Sequence, residues 1–193
     1  MHQERIIMDD IKKFCEILRK RSSEHSTAMN RVHDLPGMMA SILRQELDSM
    51  VRAIYLLTIS DLKERKRLIA QTLAGEIWTV STDKGKQRKV TDKDMVELSN
   101  KLQGWTLSVY KFGCAFIHFS SSHDYSNSNP FDSLPPNEQS DILEHLRNYH
   151  GGPHSNHPSF NEIAAFFPRV FDKIAGNLEC YINSLESNGV EKA

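Results

Sequence analysis

Nine histidines occur in 193 residues, and six of them fall between positions 118 and 157: His118, His123, His145, His150, His154 and His157. An even spread would put about two in a window of that length. Asp124, Glu144 and Arg147 stand among them. Imidazole titrates nearest neutrality, so the cluster suits proton transfer or metal ligation. Spacing weighs against a metal. His150-x3-His154 and His118-x4-His123-Asp124 offer nitrogen and oxygen donors, but an i, i+4 pair chelates from one helical face, and Gly151-Gly152-Pro153 interrupts the first. Neither HExxH nor a Glu-x-x-His repeat occurs. No metal and no cofactor is expected. His118, inside an apolar run, reads as a hydrogen-bonded core histidine.

A second constellation is basic. Lys84, Lys86, Arg88, Lys89 and Lys93 follow Trp78 and are offset by Asp83 and Asp92. A charged hairpin followed by a helix can track phosphates; the plainer reading is a solvated turn. Ser120-Ser121-Ser122 lies near His123 and Asp124, but nearness in sequence is not triad geometry. Nothing resembles a nucleotide-binding loop, a nucleophile elbow or a kinase motif.

The elements that must position these residues are mostly helices. Ile7, Ile11, Phe14, Cys15 and Leu18 repeat at helical spacing over residues 4–24, with fraying expected across Ser22–Thr27. Pro36 opens a second helix whose stripe runs from Met39 through Leu57, the longest apolar pattern and the expected centre of the core. Asp61 caps a third helix ending at Leu73 before Gly75. Residues 76–91 then read as a small inserted β-hairpin. Thr91 and Asp94 form a capping box for a helix to about Leu102. The next helix, from Trp105 to about Ser120, is apolar almost all round and should be deeply buried. Residues 120–135 form a long polar loop, a functional-loop candidate. Pro136 opens a helix to about Tyr149, and residues 150–158 break it. The last helix starts at Ser159 or Asn161, and Pro168 should kink it or reset its start. Residues 187–193 read as a loose tail. The expected fold is all-α: one helical-bundle domain over 1–193, with about four long helices, shorter ones and the hairpin.

Composition agrees with a globular chain: 39% apolar, 25% charged, net charge -1. No global positive field draws nucleic acid or an anionic membrane, so any such contact must be local. Cys15, Cys114 and Cys180 are odd in number and lack CxxC pairing, which argues against a disulfide framework and a cysteine zinc site. Cys114 and Cys180 sit in apolar contexts and read as core residues. With no leader-like apolar stretch at the N-terminus and no membrane span, a reducing cytoplasm is the expected location.

The stretch Leu146-Arg147-Asn148-Tyr149-His150-Gly151-Gly152-Pro153-His154 resembles the active motif of the HEPN superfamily: an arginine, a polar residue next to it, and a histidine with four to six residues between it and the arginine. Arg147 and His154 have the outer spacing, and Asn148 takes the polar place. The expected bundle, with the motif where its penultimate and last long helices meet, resembles the family too. The family's common form places Gly after its histidine, which here is His150, so His154 and His150 both stand as partners for Arg147. The resemblance implies metal-independent cleavage of RNA at a homodimer interface, of toxin or defence type. His154 would move the proton of the ribose 2′-hydroxyl or the leaving oxygen. Arg147 would hold the scissile phosphate, and Asn148 would orient either group. Lys84, Lys86, Arg88 and Lys89 would offer phosphate contacts. The alternative is a non-catalytic helical module binding RNA or a protein partner. Arg147 equally suits the last turn of a helix as a cation favoured by the macrodipole. Arg19-x5-His25 matches the same spacing and carries no functional weight.

Overall fold

The buried residues of the computed structural model, from Ile11 to Leu185, form a single apolar cluster. The structure describes residues 2–82 and 85–188. Lys84 and most of the expected loose tail lie outside them. Ser187 and Asn188, assigned to that tail, instead complete the last helix.

Helix α1 spans His2–Arg31, seven residues beyond the expected end. The Ser22–Thr27 segment does not fray, because its polar side chains have a buried partner. Glu46, fully buried on the next helix, accepts from Ser22 Oγ at 2.5 Å and pairs with His25 Nδ1 at 2.7 Å. A carboxylate in the core is tolerated where both oxygens are satisfied. Met29, one turn on, is buried as well.

Helix α2, Pro36–Thr58, is the axis of the molecule: Met39, Leu43, Leu47, Met50, Val51 and Ile54 are all buried. It packs on α8 (Phe167–Asn188), α5 (Thr106–Ile117) and α4 (Asp92–Gln103), while α1 packs on α8, α3 (Leu62–Leu73) and α2. Asp61 caps α3 by accepting from Lys63 N at 2.9 Å. Strands β1 (Thr79–Ser81) and β2 (Gln87–Lys89) pair antiparallel, with Val80 opposite Arg88. Trp78 roots this hairpin: it is buried, its Nε1 donates to Thr72 Oγ1 at 2.7 Å, and its ring lies beside Tyr55. Both halves of the Thr91–Asp94 capping box form at the start of α4.

The polar loop contains two short 3-10 turns, Ser121–His123 and Pro130–Ser133. Phe131 in the second is buried. Helix α6 is Pro136–His150 and α7 is Phe160–Ala164. Pro168 resets the final helix instead of kinking it. It falls in the first turn of α8, where its missing N–H has no intrahelical partner to lose.

Three expectations about burial are corrected. Helix α5 is not deeply buried: only Thr106, Gly113 and Phe116 along it are. One face lies on α2, and the remaining apolar surface is only partly covered by α4, α6 and the rings of Phe160 and Phe167. His118 is exposed at the C-terminal end of α5 and is no core histidine. Cys180 is exposed and Cys114 half-buried, whereas Cys15 is fully buried. Cys180 sits on the outer face of α8, so its apolar neighbours in sequence are core-facing without it.

Candidate binding cleft

The candidate catalytic residues gather at the C-terminus of α6. The helix ends at Gly151, whose φ of 85° is a left-handed cap that a side chain would strain. From the last turn Arg147 reaches forward over the loop that follows. Its Nε donates to Pro153 O at 2.9 Å, and its Nη2 donates to Ser155 O at 2.7 Å and Asn156 Oδ1 at 3.1 Å. A planar fork with fixed donors suits this task. The guanidinium therefore straps the 153–156 loop to its own helix.

His150 turns inward and is 7% exposed, and its Nε2 has no hydrogen-bond partner among the described residues. Its carbonyl accepts from Arg169 Nη1 at 2.6 Å, which ties the end of α6 to α8. His154, Asn148 and His157 are exposed. Among the described residues, neither His154 nor His150 hydrogen-bonds to Arg147. The elsewhere-matching pair Arg19 and His25 is committed to architecture: Arg19 grips Glu179 and Glu186 on α8, and His25 holds Glu46.

Beside this junction lies a cavity of about 390 Å³ between α5 and α6, closed below by α2 and α8. Its apolar wall comes from Val109 and Phe112 on α5, Ile142 and Leu146 on α6, and Phe131 and Phe167. Gly113 sets its floor. A Cβ there would stand 2.6 Å from Arg44 Cβ, so only glycine lets α5 approach α2 this closely. The size falls within the range of sites that take small molecules, as does the pattern of an apolar wall with few polar groups.

The polar groups converge at one corner. Trp105, His145 and Tyr149 line it, with ring centroids 6.0 Å apart for Trp105 and His145 and 4.7 Å for His145 and Tyr149. Lys173 of α8 places its Nζ 4.2 Å from the Tyr149 ring centroid and 5.5 Å from that of Trp105. Burial, then Lys173, then His150 push the His145 imidazole down to about 4. His150 is lowered by burial, Lys173 and Arg169, and Lys173 itself is lowered by burial. Both imidazoles are thus neutral at pH 7 beside a cation that has given up part of its hydration.

The basic hairpin is open to solvent: Lys86, Arg88 and Lys89 are all exposed. Arg88 is bound to Asp94 at 2.8 Å, and buried Trp78 offers no face to a base. His123 is exposed and bonds locally to Ser120. Among the described residues, no three His, Cys, Asp or Glu side chains are grouped to hold an ion, and no helix is long and apolar enough to cross a membrane. Trp105, Lys173 and the cleft itself escaped the sequence reading. The available signal was α5, too apolar all round for a helix of 12 residues.

Fold and site together define an all-α bundle with a two-stranded hairpin and an apolar cleft beside its penultimate long helix. No family model matches the chain, and no curated protein or solved structure shows significant similarity to it.

Proposed function

We propose that this chain is a non-catalytic helical module that binds a ligand in the α5–α6 cleft. The observation that carries the reading is the commitment of Arg147 to three oxygens of its own loop, beside a preformed cavity that none of the described residues fills. A phosphate-binding arginine must present its donors to solvent, and a proton-transfer histidine must lie within reach of the reacting atoms. Arg147 instead spends Nε and Nη2 on Pro153, Ser155 and Asn156. The cleft has the size, wall and convergent polar corner of a ligand site.

The HEPN-like ribonuclease with Arg147, Asn148 and His154 remains the competing proposal, and one pair of assays separates the two. Phenylnaphthylamine, a neutral apolar fluorophore, should bind the wild type saturably and one-to-one, and Val109→Trp, which fills the cleft, should abolish that binding. Single-stranded and structured RNA should survive a high concentration of the wild type with a chelator present. RNA cleavage that disappears in His154→Ala would restore the nuclease reading, and absence of probe binding to folded protein would remove the cleft reading.

A further inference from the structure

Among the described residues, the charged side chains that line the cleft are Asp141 and Glu144 of α6, both acidic and both exposed at its rim. They stand three residues apart on one helix, so their carboxylates are surface neighbours and repel each other. Neither lies in the first turn of α6, where the helix dipole would favour an anion. No cation among the described residues is paired with either; Lys111 on α5 is bound to Glu138 at 2.5 Å. Lys173 does not line the cavity. It lies over Tyr149, eight residues beyond Asp141 and so about 12 Å along the helix axis. That exceeds the screening length of about 10 Å at 0.1 M salt. The His145 imidazole between them is neutral at pH 7 and adds no charge.

We propose that the cleft takes a small amphiphilic cation, an ammonium on an apolar or aromatic body, with its charge at the Asp141–Glu144 rim and its body against Val109, Phe112, Ile142 and Phe167. This rests on the reading of the cleft as a ligand site and names the charge of the ligand. The arrangement lets the apolar body leave water while the ammonium keeps part of its hydration at the rim, so no charge is buried unpaired. An ammonium there also relieves the repulsion between the two carboxylates. An anion on the same body would meet both of them, which like-charge repulsion disfavours. A neutral ligand gains the apolar burial alone. The volume of about 390 Å³ equals the liquid share of roughly 13 waters, room for a ring system or a short chain but not for a folded element.

Three competitors of nearly one skeleton test this: naphthylmethylammonium, naphthylmethanol and naphthoate. Each displaces phenylnaphthylamine, read by fluorescence, from the wild type and from the double variant Asp141→Asn/Glu144→Gln. On the wild type the ammonium should compete best and the carboxylate worst. In the double variant the ammonium should lose about threefold to tenfold, the worth of two exposed ion pairs, and the carboxylate should gain. The alcohol should compete alike against both proteins, and phenylnaphthylamine itself should bind both, which also shows that the variant is folded. Ammonium affinity unchanged in the double variant, or an alcohol or carboxylate that competes better than the ammonium on the wild type, overturns the cation inference while leaving the cleft intact. If phenylnaphthylamine does not bind the wild type, the cleft reading itself fails, and the inference with it.

Discussion

Arg147 Nη2 donates to the carbonyl oxygen of Ser155 at 2.7 Å, binding the last turn of α6 to the loop that leaves it. The residue that most suggests catalysis in the sequence thus acts as a strap. Arg147→Ala should cost about 1–2 kcal/mol, because the Pro153 and Ser155 carbonyls lose their donors together. Arg147→Lys should recover only part, since an ammonium cannot reproduce the fork. His154→Ala, at an exposed position, should stay within about 0.5 kcal/mol of wild type. Denaturant melts of the three variants check the ranking.

Gly113 tests the floor of the cleft. A methyl group there meets Arg44 Cβ at 2.6 Å and Cγ at 3.2 Å. Gly113→Ala should destabilise by about 1–3 kcal/mol through overpacking, even though alanine is the better helix former. A gain in melting temperature would show that α5 and α2 are not in such close contact.

The three thiols should differ sharply in reactivity. Burial, then the Glu186 carboxylate, raise the Cys15 thiol to about 12, so almost no thiolate exists at pH 8. Cys180 is exposed and Cys114 half-buried. A disulfide reagent at pH 8 should label Cys180 quickly and Cys114 slowly, with Cys15 reacting only on unfolding. Mass spectrometry after timed quenching reads the order.

Stability should fall on mild acidification. In the unfolded chain an imidazole takes up its proton near pH 6.5, whereas His145 in the fold does so only near 4. Between those values the unfolded chain binds more protons, so the contribution of His145 is complete above about pH 6.5 and lost as pH drops toward 4. His150 shifts the same way. The melting temperature should decline over this window, and His145→Phe should flatten the decline. An equally steep profile in that variant would place the cause elsewhere.

How far the sequence reveals this molecule depends on which interactions are local. The Asp61 cap, the Thr91–Asp94 box, the start of α2 at Pro36 and the hairpin each turn on residues within a few positions of one another, and all are where the pattern places them. The fraying assigned to Ser22–Thr27 failed because the partner that orders Ser22 and His25 is Glu46, more than 20 residues away. Cys180 and His118 failed because apolar neighbours in sequence do not say which way one side chain faces. The cleft depends on α5, α6 and α8 together, a convergence that no single stretch of sequence encodes. Arg147 is the mixed outcome. Its helix and position were legible, but its partners lie in a loop whose path no periodicity encodes.

The most direct test of the account is to map where phenylnaphthylamine sits, by following backbone amide shifts of isotope-labelled protein during a titration. The account predicts shifts confined to α5 around Val109–Gly113 and to α6 around Ile142–Tyr149, saturating at one equivalent. Shifts centred on the 86–93 segment, or scattered over the surface without saturation, would contradict it.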